Sequence, residues 1–193
     1  MKIKLTLVLA LFFLATDLVA QKYIIDAGHS TVQIQVERFG VVDVVGRFKE
    51  VNGSIDFNAS DITKTNAEAV IKVASYDANN PGGEDAVKSK AFLDATDYPE
   101  ITFKGTQVTE NDGEKYLIGD LTIHGTTNQV ELPYSIKGPL LDLPTQKQSI
   151  AFTGSITINR QDYGISFDRK LPDGTNLVGN EVKINLIVLA IAE

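Results

Sequence analysis

From Ser30 onward the apolar residues of the chain recur at every second position, the period of a half-buried β-strand. Val32, Ile34 and Val36 alternate with Gln33, Gln35 and Glu37, and Ala69, Ile71 and Val73 alternate with Val70, Lys72 and Ala74. Ile101 and Phe103 form a short run. Longer ones follow at Leu117, Gly119, Leu121 and Ile123, at Val130, Leu132, Tyr134 and Ile136, and at Phe152, Gly154, Ile156 and Ile158. The last run, Val182, Ile184, Leu186, Val188 and Ala190, has a partly apolar second face in Ile187, Leu189 and Ile191. With 44–48 and 53–57 as short hairpin partners, the pattern predicts about eight strands.

Compact turn signals separate these runs: Val51-Asn52-Gly53, Glu110-Asn111-Asp112-Gly113, Gly125-Thr126-Thr127-Asn128 and Pro172-Asp173-Gly174. Such short connections favour antiparallel neighbours over βαβ crossovers. The rhythm breaks once, at 77–99, where acidic residues after Pro81-Gly82-Gly83 and the spacing of Val87, Ala91 and Phe92 predict a short helix over 84–93. Gly46, Gly105, Gly119 and Gly154 fall inside strands, at places where a sheet bends. The expected fold is therefore all-β: an antiparallel β-barrel of about eight strands with a short helical insertion, a sandwich being the other way to remove open edges.

The first twenty residues stand apart. Lys2 and Lys4 precede an apolar stretch over 5–15, and Leu18-Val19-Ala20 offers a small-residue cleavage site before Gln21. This outlines a signal peptide over 1–20, too short for a bilayer span, and a single domain over 21–193 that is periplasmic or secreted. Without Lys2, Lys4 and Asp17 the remaining residues hold 16 Lys+Arg against 24 Asp+Glu, a net charge of −8. Nucleic acid is a poor partner for that balance. The chain has no cysteine, which excludes disulfides, thiolate metal sites and a cysteine nucleophile, and leaves no attachment point for a stable lipid anchor on the membrane.

Catalytic signatures are equally scarce. G-x-S-x-G, G-x-x-x-x-G-K-[ST], G-x-G-x-x-G and H-E-x-x-H do not occur, and the two histidines, His29 and His124, lie 95 positions apart. No catalytic residue, metal or cofactor is assigned. Asp26, His29 and Ser30 make a compressed hydrolytic set, against the simpler reading of a turn in which Asp26 and Ser30 bond backbone amides. Asp94, Asp97 and Glu100, and Asp162 with Asp168, are carboxylates of the kind a glycosidase uses, but acids at strand ends also cap turns. His124, beside a tight turn, is a candidate for the rim of a ligand site. Arg160, Asp162 and Arg169 suit an ion pair, or, with Arg160 and Arg169 at a barrel mouth, the capture of an anionic headgroup.

The apolar supply is more informative. Seven phenylalanines follow residue 20, mostly in or beside strands, and there is no tryptophan. Phe39, Phe48, Phe57, Phe92, Phe103 and Phe152 are candidates to line a slot for an alkyl or prenyl chain. Burying about 500 Å² of such a tail at about 25 cal/mol/Å² is worth roughly 12 kcal/mol before ordering costs.

The ordered set Tyr23-x-Ile25-Asp26-x-x-His29-Ser30, Gly46-Arg47-Phe48, Gly53-x-Ile55-x-Phe57, Phe92-Leu93-Asp94 with Tyr98-Pro99-x-Ile101-x-Phe103, Gly119-Asp120-Leu121-Thr122-Ile123-His124-Gly125, and Asn159-Arg160-x-Asp162-Tyr163-Gly164-Ile165 resembles the YceI-like polyisoprenoid-binding family over 23–190. That resemblance implies an extended lipocalin-like barrel that holds an isoprenoid or other long-chain lipid, often as a homodimer, with no catalytic apparatus. The chain departs from the family pattern at Glu37-Arg38-Phe39 and at Gly83-Glu84-Asp85-Ala86-Val87. Three functions compete at this point: a secreted lipid carrier or sequestering protein, a secreted interaction module whose barrel is packed solid and takes no lipid, and a hydrolase built on Asp26, His29 or the region of Asp162.

Overall fold

The computed structural model describes residues 20–193; the segment read as a signal peptide, apart from Ala20, lies outside them. In chain order the strands are β1 (Gln21–Ile25), β2 (Thr31–Arg38), β3 (Val42–Phe48), β4 (Val51–Phe57), β5 (Asn66–Lys72), β6 (Tyr76–Asp77), β7 (Glu100–Asn111), β8 (Glu114–Ile123), β9 (Thr126–Asp142), β10 (Lys147–Asn159) and β11 (Val178–Ala192). Among the described residues one α-helix, α1 (Pro81–Lys88), interrupts them between β6 and β7. Every pairing is antiparallel. The ring β1-β4-β5-β7-β8-β9-β10-β11 returns to β1, so the sheet closes as the expected barrel of eight strands.

Three of the eight are broken in the middle. Both β1 and β2 pair with β11, on either side of a 3-10 turn at Ala27–His29, and so run as one strand. Likewise β3 pairs with β2 while β4 pairs with β1 and β5, which makes them successive halves of one bent strand, and β5 pairs with β4 while β6 pairs with β3, on either side of a 3-10 turn at Val73–Ser75. This corrects the expectation that 44–48 and 53–57 are hairpin partners, and that Val51-Asn52-Gly53 turns the chain. Gly53 sits within β4 because the neighbouring strand passes too close for a side chain: a Cβ there would lie 2.0 Å from the Glu68 carbonyl oxygen. The breaks are tied to each other, since Ser75 Oγ accepts from the Glu50 amide at 3.1 Å and donates to the Lys72 carbonyl at 2.7 Å.

The helix also begins and ends earlier than its apolar spacing predicts. The Asn80 side chain accepts from the Gly83 amide, Pro81 opens the first turn, and Glu84 Oε1 accepts from the amides of Ala78 and Asn80. Together these cap the N-terminus three residues before 84. At the other end Ser89 turns its hydroxyl onto the Ala86 carbonyl. Phe92 and Leu93 therefore fall in the following turns, where they pack against the core beside Val87.

Two clusters fill the barrel. Tyr23, Ile55, Val108, Leu117, Leu132, Tyr134, Ile150, Phe152, Val188 and Ala190 close the end at which β8 and β10 begin, with the Tyr134 and Phe152 rings stacked at 5.2 Å. At the other end, Val32, Phe48, Ile71, Tyr76, Leu93, Leu121, Ile123 and Tyr163 gather under α1 and the turns that follow it. Burial falls off between them along three neighbouring strands. On β11, Ala190 and Val188 are buried but Leu186, Ile184 and Val182 only half so; on β10, Ile150 and Phe152 are buried but Ile156 and Ile158 half so. On β2, Val32 is buried and Ile34 and Val36 are not fully covered. Inward-facing aliphatic side chains in a closed barrel stay uncovered only where the interior is empty.

Candidate functional site

The empty region is a cavity of ≈ 290 Å³, with ≈ 1910 Å³ of space between its walls when the open mouth is counted. Pockets that hold small molecules run to roughly 300–1,000 Å³. Its floor is set by Leu117, Leu132, Phe152 and Val188, its sides by Ile34, Val130, Ile156, Ile158, Ile184 and Leu186, and its upper end by Tyr76, Val87, Phe92, Tyr163 and Arg160. Arg38, Asn80 and Ala86 belong to both the wall and the exposed surface, which places the mouth between the β2–β3 hairpin and α1.

Four of the six phenylalanines proposed for the lining stand in this wall: Phe48, Phe92, Phe103 and Phe152. Phe103 lies across Gly119, where a Cβ would come within 2.5 Å of its ring. The other two are elsewhere. Phe39 occupies a turn at φ 60° with the Arg38 guanidinium 4.0 Å over its ring, and Phe57 packs on the cluster at the closed end. Most of the wall is instead aliphatic, and its members are the alternate positions of the period-two runs, a signal present in the sequence but overshadowed there by the aromatic residues.

The rim candidates separate in the same way. His124 forms the β8–β9 turn with Gly125, at φ 50°, and packs on the Tyr98 ring at 4.4 Å, away from the wall. Arg169 is exposed and is not a wall residue. Arg160 lines the cavity but is no rim residue: it is 4% exposed and its guanidinium donates to the carbonyls of Ile165, Phe167, Val178 and Gly179. The ion pair considered for it does not form among the described residues, because its donors point along the backbone of the 165–179 segment. Burial lowers its pKa from the ordinary arginine value and the Asp168 carboxylate opposes that shift; a guanidinium is not deprotonated in a protein, and the group is charged. Burial likewise raises the Tyr76 and Tyr163 phenols above their usual range, and both remain neutral.

The hydrolytic set lacks a free nucleophile. His29 Nδ1 and Asp26 Oδ2 are 2.7 Å apart, but the Asp26 carboxylate also accepts from the Gly28 amide, and Ser30 Oγ both donates to and accepts from the Leu189 backbone. The acids after α1 are engaged as well: Asp94 caps the Asp97 amide, Asp97 faces Lys90 at 3.6 Å, and Glu100 pairs with Lys72. Among the described residues no cluster of histidine and acidic side chains is suited to a metal ion, and no helix is long and apolar enough to cross a membrane.

A closed antiparallel barrel around an apolar compartment, open at one end, defines the class: a barrel with an interior chamber. Within that class the chain belongs to the YceI-like family, whose domain profile matches residues 23–190. A UPF0312 protein of Staphylococcus epidermidis is 31% identical over 162 residues, covering 84% of this chain and 92% of that protein. A UPF0312 protein of Shewanella denitrificans is 30% identical over 187 residues, covering 95% and 94%. Among solved structures, BcnA of Burkholderia cenocepacia superposes with a TM-score of 0.74 at 24% identity, over 86% of this chain and 99% of that one. A polyisoprenoid-binding domain from Saccharophagus degradans, implicated in plant cell wall breakdown, superposes with a TM-score of 0.67 at 14% identity, over 91% and 99%. These structural likenesses carry the fold. The stretches 37–39 and 83–87 both reach the mouth, where Arg38, Gly83, Ala86 and Val87 are wall residues.

Proposed function

We propose that the protein is an exported, periplasmic or secreted, binding protein that holds a polyisoprenoid or similar amphiphilic lipid in its barrel, as a carrier or sequestering protein without catalysis or cofactor. The observation that carries this reading is the cavity: the inward aliphatic side chains of β2, β10 and β11 are left half-covered around an apolar chamber with one mouth. Covering that surface supplies the driving force, since each buried CH₂ of a tail contributes about 0.8 kcal/mol. The polyisoprenoid-binding domain of like fold and the N-terminal segment 1–20 support the ligand class and the export. A packed interaction module predicts no such chamber, and a hydrolase needs a nucleophile that Ser30, held on the Leu189 backbone, does not provide.

The direct test is organic extraction of the full-length gene product after purification through its native export route, followed by mass spectrometry. One long-chain lipid class at close to one equivalent per chain is expected. Lipid-free protein that also fails to take up added prenyl or alkyl chains would overturn the proposal.

A further inference from the structure

The wall of the cavity is mainly aliphatic and aromatic, and its most buried charged member is Arg160, 4% exposed. A guanidinium carries five N–H donors. Nε gives its one to Gly179 O at 3.0 Å, Nη2 gives its two to Phe167 O at 2.7 Å and Val178 O at 3.4 Å, and Nη1 gives one to Ile165 O at 2.6 Å. The second Nη1–H has no partner among the described residues. Four carbonyl dipoles solvate this charge without neutralising it, and among the described residues no carboxylate lies within ion-pair distance. Asp168, the acid that acts on it, is itself exposed and stands 4.0 Å from Lys170.

A cation held so in apolar surroundings attracts an anion more strongly than it would in water. Arg38 adds a second positive charge at the mouth, while the one acid of the wall, Glu68, is exposed on β5 opposite Lys104. Two arginines against one exposed acid leave the wall net positive in a chain that has more acids than bases overall.

We propose that the cavity takes an amphiphile with an anionic head, a carboxylate or a phosphate, its tail toward Phe152 and Leu117 and its head on the unpaired Nη1–H of Arg160. This rests on the lipid-binding reading above and adds the chemistry of the head to it.

The test is a calorimetric titration of the delipidated full-length domain with four twelve-carbon ligands: dodecanoate, dodecyl phosphate, dodecan-1-ol and dodecyltrimethylammonium. At least one anion should bind about ten-fold or more tightly than the alcohol, the scale of a charge-assisted hydrogen bond, with the cation weakest. Whichever of dodecanoate and dodecyl phosphate binds more tightly identifies the acid. If the alcohol equals or exceeds both anions, the head assignment fails while lipid binding stands. If none of the four binds, the lipid reading fails and takes this inference with it. In Arg160→Gln the anion-to-alcohol ratio should fall toward one; a ratio that persists while all affinities drop together assigns Arg160 a structural role only and overturns the proposal. Should that variant not fold, the wild-type series alone decides.

Discussion

Enlarging a side chain inside a well-packed barrel strains it, whereas enlarging one on the wall of a void does not, and the two outcomes are separable at paired positions. Ile184 on β11 lies between Ile34 of β2 and Ile156 of β10, is half-buried and faces the cavity. Ile150 on β10 is 1% exposed within the closed end. In Ile150→Phe the ring has no room, and the overpacking cost is about 1–3 kcal/mol. In Ile184→Phe the ring enters a ≈ 290 Å³ void. There it covers on the order of 60 Å² of further apolar surface, about 1.5 kcal/mol at about 25 cal/mol/Å². Side-chain ordering opposes this by about 0.5 kcal/mol, leaving a gain near 1 kcal/mol. For a domain of this size each kcal/mol moves Tm by about 2–4 °C. Thermal unfolding of the delipidated proteins, followed by circular dichroism, should therefore show Ile184→Phe unchanged or raised by a few degrees and Ile150→Phe lowered. Lipid uptake should fall in Ile184→Phe. If both variants lose the same stability, the interior at Ile184 is filled and the chamber does not exist in solution.

Phe152→Ala removes a 4% exposed ring from the cavity floor together with its stack on Tyr134, and should cost about 3–5 kcal/mol in denaturant unfolding while deepening the chamber for longer tails. Asn80→Ala deletes the cap of α1 and should destabilise by about 1 kcal/mol, with faster amide exchange over 81–88 at the mouth. Asp77 has its pKa held below the usual 3.8 by the Asn79 amide first and then by Lys49, so its contribution to stability is present above 3.8 and disappears as pH falls through the lowered value. Melting of Asp77→Asn against wild type should accordingly differ at pH 7 and converge in strong acid; a gap that widens on acidification contradicts the assignment.

The closed β-architecture was legible because period-two alternation and compact turns are local signals. Leu117, Leu121 and Ile123 read as inward positions and are buried. What escaped depends on contacts distant in sequence. Gly53 looks like a turn residue until β5 is laid against it, and the helix start is fixed by Asn80 and Glu84 bonding across its first turn rather than by apolar spacing. In the sequence Arg160 is a charge near a strand end. Its burial, however, follows from the 165–179 segment folding over it, which no local pattern encodes. Arg38 ends a strand in a turn, and only closure of the barrel sets it at the mouth.

Side-chain length explains why one end of the barrel is solid and the other hollow. An eight-stranded barrel has an interior that side chains can just fill. At the closed end the filling is done by Tyr23, Tyr134 and Phe152 with leucine and isoleucine between them. Along β2, β10 and β11 toward the mouth the inward residues are Val36, Ile156, Ile158, Val178, Val182 and Ile184, too short to meet across the lumen. β-Branched residues at those positions keep the strands extended while leaving the centre empty. The chamber is thus made by the aliphatic stretches, and the phenylalanines mark its floor and its upper end. It follows that exchanging valine for leucine or phenylalanine along β11 should shorten the accepted tail step by step, whereas shortening Phe152 should lengthen it.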